Sequence, residues 1–265
     1  MKQLLENDPI RAAYHIALLE EPYSDHVRWY THRGADGAGD SAAAVYALNQ
    51  PPIVFLIGSA DGAGSCLQQA QLPQRVYSAY FPEHEQVLAL RYITSRPTAM
   101  QRMVLTREMF DVLAPGQDKF RRKAVVLRNR HASLLAELYS CAPGFRPDPY
   151  QFSCGRYLGI MLDGRLAAAA GTHFISEEYS FAMAGNVLTR PDLRRRGYAR
   201  AIMLSLLDRL FQNAETVCLN VGSLNAAAEN LYRSMGFTAH CAYREGVSVL
   251  RGSLEPAPIY AENAT

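Results

Sequence analysis

Apolar residues in the C-terminal half follow helical and strand periods in turn. Ile202, Met203, Leu206, Leu207, Leu210 and Phe211 fall at i, i+1, i+4 and i+5, so they form one stripe of a helix. Before them, Ser180 to Thr189 reads as an apolar strand; after them, Val217 to Val221 reads as a buried one. A second helix is expected from Leu224 to Met235, with Ser223 as its N-cap and Gly236 as its stop. Upstream, Gly155 to His173 predicts a hairpin turning at Asp163-Gly164.

The N-terminal half gives a similar order. A helix opens at Asp8-Pro9 and runs through Ile16, Leu18 and Leu19. Strands follow at His26–Tyr30, Ala42–Leu48 and Ile53–Ile57, then a helix at Ser65–Gln71 and a strand at Val76–Phe81. A helix at Pro82–Arg91 and a strand at Met100–Leu105 complete it. The glycine-rich stretch Gly58 to Gly64 follows a strand but carries no arginine, and reads as a turn.

The chemistry concentrates where the strand ending at Thr189 meets its helix. Arg190-Pro-Asp-Leu-Arg194-Arg195-Arg196-Gly197-Tyr198-Ala199-Arg200 is a basic, glycine-bearing loop on a helix N-terminus. Free backbone N–H groups and the positive end of the helix dipole favour an anion there. Gly197 and Ala199 are small enough for a pyrophosphate to approach the backbone, and Arg194, Arg195, Arg196 and Arg200 add charge suited to phosphate. On spacing alone, a solvated basic turn would read the same.

With Asn225 and Tyr232 downstream on one helix face, these segments resemble motifs A and B of the GNAT superfamily of acyl-CoA-dependent N-acyltransferases, over roughly Arg121 to Arg251. The resemblance implies that backbone amides from Arg195 to Arg200 hold the pyrophosphate of acetyl-CoA. It implies too that the strand end Val187-Leu188-Thr189 splays from its neighbour and pairs with the pantetheine arm. Asn225 would face the pantetheine or the acyl end, and Tyr232 would protonate the departing thiolate. A backbone N–H near Val187 suits the oxyanion that forms when an amine attacks a thioester. Tyr232 also has the reading of a core tyrosine.

The general base is less legible. Many GNAT enzymes carry a Glu on the strand before the loop; here Tyr179 to Val187 holds no carboxylate. His173 on the preceding strand is the best candidate by its titration range, against a structural histidine or a water chain with no dedicated base. Glu177 and Glu178 read as hairpin-turn residues.

Length and composition set the frame. A chain of 265 residues, 49% hydrophobic and 20% charged, predicts two domains with ample core. The expected fold is α/β with a mixed sheet flanked by helices in each of two GNAT-like domains. Residues 1–115 would form a degenerate one and 119–265 the acyl-CoA domain, as in tandem and glycine N-acyltransferase-like members. The linker would fall at Ala114–Asp118. Residues 1–118 hold 9 Lys/Arg against 13 Asp/Glu, and residues 119–265 hold 18 against 12, an excess that fits a polyanionic small ligand. No nucleic-acid motif appears, and no run reaches the about 18 apolar residues of a membrane span. Cys66, Cys141, Cys154, Cys218 and Cys241 are scattered without metal-type spacing, so reduced thiols and no metal are expected. The start lacks a signal pattern, which predicts a cytoplasmic protein. The acceptor is an amine of open identity, on a small molecule or a protein; the oligomeric state is open as well, a homodimer among the options.

Overall fold

The computed structural model describes residues 2–34, 39–114, 123–142, 151–152 and 155–253. Its elements run α1 (Lys2–Glu6), α2 (Ala13–Ala17), β1 (Val27–His32), β2 (Ser41–Tyr46), β3 (Ile53–Gly58), α3 (Ala60–Gln69), β4 (Arg75–Tyr80), α4 (Glu85–Ala89) and β5 (Tyr92–Thr94). There follow β6 (Thr98–Thr106), α5 (Arg107–Leu113), β7 (Val125–Val126), α6 (Ala132–Tyr139), β8 (Tyr157–Leu162), β9 (Arg165–Ser176), β10 (Phe181–Thr189), α7 (Tyr198–Leu210), β11 (Thr216–Gly222), α8 (Ala226–Arg233) and β12 (Thr238–Leu250). Among the described residues no helix is long and apolar enough to cross a membrane.

The chain divides into two compact units, Met1–Met100 with Ala242–Thr265, and Gln101–Cys241. These units do not follow the chain order 1–115 and 119–265. Strand β6 carries the chain into the second unit, and β12 carries it back to pair antiparallel with β4 from Arg244↔Tyr80 to Val249↔Arg75. The expected linker residues 115–118, and Cys154, lie outside the described residues.

Each unit repeats one order of elements: three strands, a helix, a strand and a helix. In the first, β1–β2 and β2–β3 are antiparallel and β3–β4 parallel. In the second, β8–β9 and β9–β10 are antiparallel and β10–β11 parallel. The parallel step follows from the helix between its strands, since a crossover returns the chain in the same direction. The hairpin expected at Asp163-Gly164 is present, with both residues at positive φ (49° and 75°) between Leu162 and Arg165.

The helix expected at Ser65–Gln71 begins earlier, at Ala60, and takes in Gly62 and Gly64. Ser59 caps it, its hydroxyl accepting from the Gly62 N–H at 3.2 Å. A Cβ on Gly62 would lie 2.2 Å from Ser41 Oγ, so glycine there lets the helix abut β2. In the second unit, α7 buries Ala201, Ile202, Met203, Leu204, Leu206, Leu207 and Leu210 in one core with Ala182, Ala184, Val217, Leu219 and Val221. That core fixes one face of β10 and β11 beneath the two C-terminal helices.

Candidate functional site

Strand β10 is where the sheet of the second unit opens. Its parallel ladder with β11 runs from Phe181↔Thr216 to Ala184↔Leu219, while β10 continues to Thr189 and β11 to Gly222. On its other side β10 stays paired with β9 as far as Thr189↔Ala168, with two shifts of register. Met183 faces Phe174 but Ala184 faces Thr172, so His173 is the extra residue of a bulge in β9. Gly185 faces Gly171 but Leu188 faces Ala169, so β10 also carries an extra residue, and Asn186 there has φ 52°.

The pairing direction fixes where the end of β10 presents its backbone. The Arg190 N–H donates to the Ala167 carbonyl at 2.9 Å. By alternation Leu188 is turned toward β9, and the main-chain groups of Val187 and Thr189 point to the β11 side, past the end of that ladder. Thr189 Oγ1 is buried and meets no hydrogen-bond partner among the described residues, a desolvation cost of about 1–3 kcal/mol if nothing else satisfies it. The opening offers backbone amide groups to an extended polar ligand, which fits a pantetheine arm.

Past Thr189 the chain makes one tight turn, Pro191–Leu193, and enters the arginine loop. The Arg190 guanidinium bonds Asp192 at 2.7 Å and holds its carboxyl below the usual range. Arg194, Arg195 and Arg196 are exposed. Arg195 and Gly197 both lie in the left-handed region (φ 62° and 81°), a conformation that turns successive N–H groups toward one concavity. Gly197 is the N-cap of α7 and has no side chain to satisfy the first turn, so the amides of Gly197 and Ala199 donate to no protein acceptor among the described residues. The first unit differs at the corresponding step, where Ser59 fills that role itself. The loop of the second unit suits a pyrophosphate; the loop of the first is closed by its own serine. Arg200 is half-buried and its guanidinium donates to Ser234 Oγ at the end of α8, tying the two helices together.

Tyr232 is 7% exposed and lies in the core cluster against which Val187, Tyr198 and Ala228 pack, its ring 5.8 Å from that of Phe237. Burial pushes its hydroxyl up to about 12, which keeps it protonated and able to donate. Asn225, rather than Ser223, caps α8: its carboxamide oxygen accepts from the Ala228 N–H at 3.1 Å. The helix accordingly starts two residues later than the sequence predicts and ends at Arg233.

His173 lies on the other side of the sheet. A Cβ on Gly185 would come within 1.8 Å of its Nε2, so the imidazole covers β10 at that glycine. Gly185 shares its face with Met183, opposite the face on which Ala182 and Ala184 join the Tyr232 core. Tyr232 and His173 thus flank the sheet from opposite faces close to where β10 and β11 part. Cys218, fully buried, has its thiol pushed up to about 12, too high for a nucleophilic role. Among the described residues no group of three His, Cys, Asp or Glu is placed to hold a metal.

The network on Asn186 was not legible from motifs. Tyr139 donates its hydroxyl hydrogen to the Asn186 carbonyl, and Asn186 Nδ2 donates to the Tyr157 hydroxyl at 2.5 Å. The available signal was the Gly185-Asn186 pair inside an apolar strand, a composition that marks a bulge.

Comparison with known proteins places this geometry. Residues 129–237 match the family model described as "Acetyltransferase (GNAT) family". The [Ribosomal protein bS18]-alanine N-acetyltransferase of Salmonella typhimurium is 40% identical over 85 residues, which are 31% of this chain and 55% of that protein, so the match spans about half of the relative. A GCN5-related N-acetyltransferase from Kribbella flavida superposes with TM-score 0.60 at 14% identity, covering 92% of this chain and 95% of that one. A tandem GNAT protein from the clavulanic acid biosynthesis pathway superposes with TM-score 0.56 at 13% identity, covering 87% and 85%. These last two likenesses show the fold, including a fold with two such units in one chain.

Proposed function

The chain is a member of the GNAT superfamily through residues 129–237, and on that premise we propose that its second unit transfers an acetyl group from acetyl-CoA to a primary amine by direct attack in a ternary complex. The observation that carries this reading is the end of the β10–β11 ladder at Ala184↔Leu219 on a strand that leads, past Thr189 and the Pro191–Leu193 turn, into a left-handed loop on an uncapped helix N-terminus. One opening then serves an extended amide-bearing arm, and the next turn serves its pyrophosphate.

In this reading the amides from Arg195 to Arg200 bind the pyrophosphate, and the arginine side chains add screening charge. The main chain of Val187-Leu188-Thr189 pairs with the pantetheine, and the Val187 N–H donates to the carbonyl oxygen as negative charge develops on it. Asn225 spends its carboxamide oxygen on the cap, which leaves its NH2 for the coenzyme. The amine approaches from the His173 face, where the imidazole accepts its proton. Tyr232, on the opposite face, donates a proton to the departing thiolate. Base and acid on opposite sides of the sheet suit a reaction in which the nucleophile enters where the leaving group does not.

A second reading, a non-catalytic acyl-CoA sensor, is favoured by the absence of any carboxylate on β10. Calorimetric titration with acetyl-CoA, then thiol release against a panel of amines, separates the two. The panel should hold amino acids, polyamines and peptides, with the alanine-bearing bS18 substrate named for the relatives among them. Binding with thiol release supports the enzyme; binding without release across the panel supports the sensor. No binding would remove both.

A further inference from the structure

We propose that Tyr139 and Tyr157 are positioning residues that lock the Asn186 bulge, so that the Val187 N–H is aimed into the opening between β10 and β11, at the carbonyl of the acyl donor. The inference rests on the acyl-transfer reading and names residues that reading does not use.

The carbonyl of Asn186 and the N–H of Val187 belong to one planar, trans peptide unit, so they point in opposite directions. Fixing the oxygen fixes the hydrogen. Tyr139, on α6, grips that oxygen through its own hydroxyl. The Val187 main chain is directed to the β11 side, away from β9, as the alternation from Arg190 requires. The bond to the oxygen also polarises the N–H at the other end, because hydrogen bonds through one peptide reinforce each other.

Asn186 sits at φ 52°, and a left-handed residue inside a strand needs its surroundings to hold it there. Tyr157 supplies the second hold, accepting from Asn186 Nδ2. Its place is set by the cross-strand glycine pair Gly171↔Gly185. A Cβ on Gly171 would lie 2.6 Å from Tyr157 Cζ, and one on Gly185 would lie 1.8 Å from His173 Nε2. The two glycines thus make room for both rings, and the base candidate and the bulge clamp are built around the same pair. Both tyrosines are buried. Burial raises the Tyr139 hydroxyl well above its ordinary value, so it stays a donor through the working pH.

Isotope-edited infrared spectroscopy of acetyl-CoA carrying carbon-13 at the thioester carbonyl reads this directly. With wild-type protein the bound carbonyl should absorb at lower frequency than the free one. Tyr139→Phe should lose most of that shift while binding free coenzyme A within about twofold of wild type; Tyr157→Phe, which keeps the hold on the oxygen, should lose only part. A wild-type shift in Tyr139→Phe overturns the proposal. Coenzyme A binding by the wild type with no carbonyl shift overturns it as well and leaves the coenzyme site standing. No coenzyme A binding by the wild type fails the acyl-transfer reading itself, and the positioning role with it. Should Tyr139→Phe not fold, Tyr157→Phe decides: a full wild-type shift there overturns the proposal.

Discussion

The imidazole of His173 occupies the place of a side chain on Gly185, its Nε2 1.8 Å from where that Cβ would stand. A histidine brought over a strand by a bulge is held by backbone geometry rather than by its own rotamer alone. His173→Ala should lower thiol release about 100-fold, the typical contribution of a positioned base, with acetyl-CoA affinity unchanged. Gly185→Ala should cause a similar loss by displacing the ring. In the double variant the added methyl has nothing to strike, so the second substitution should cost nothing further. Steady-state kinetics on the four proteins of that cycle checks this. An undiminished rate in His173→Ala would give the proton to a water chain.

Tyr232→Phe removes the hydroxyl proposed to protonate the thiolate and keeps the ring against Phe237. Turnover should fall about 100-fold, the low end of what a positioned general acid contributes, while the dissociation constant for coenzyme A stays within about twofold. Turnover equal to wild type would make Tyr232 a packing residue of the core, the role its burial alone would permit.

The two helix starts, Gly197 and Ser59, predict opposite outcomes. Gly197→Glu places a carboxylate where a pyrophosphate would sit, on a residue at φ 81°. Acetyl-CoA affinity should fall at least about 100-fold through like-charge repulsion and strain at the loop. Ser59→Ala removes a helix cap in the first unit and should lower stability by about 1 kcal/mol, with no change in coenzyme affinity. Calorimetry and urea denaturation on both variants test the pair. Weakened coenzyme binding in Ser59→Ala would mean that the first unit takes part in the site.

The loop Arg194–Ala199 and the helices around it were readable because three consecutive arginines run into a glycine just before an apolar helical stripe, a spacing that is local. Apolar period alone gave β10 to within one residue and α7 with its stripe. The bulges were not readable. The two register shifts of the β9–β10 ladder depend on which residues stand opposite each other, and pairing across strands leaves no mark in a single strand's pattern. For the same reason, His173 appeared in the sequence only as a lone histidine on an apolar strand. The α3 start was missed because Gly62 and Gly64 lower helix propensity, whereas the packing of Gly62 against Ser41 rewards glycine there. The path of β12 into the first unit was missed because strand partners distant in sequence are set by the sheet as a whole.

The phenol of Tyr232 also predicts how stability responds to alkali. Burial raises its value from 10.0 to about 12. Below pH 10 the group is protonated whether the chain is folded or not, and it adds no pH dependence. As pH rises from 10 toward 12 the unfolded chain releases this proton and the folded chain keeps it, so the unfolded state gains and stability falls. Above 12 both states are ionised and the loss is complete, on the order of 3 kcal/mol for a shift of this size. Burial pushes the Tyr139 hydroxyl in the same direction, so it adds to the slope. The urea midpoint of the wild type should therefore drop steeply between pH 10 and 11, and that of Tyr232→Phe less steeply. An equal slope in the variant would mean that the hydroxyl of Tyr232 ionises in the folded protein as it does in water, and that burial does not hold its proton.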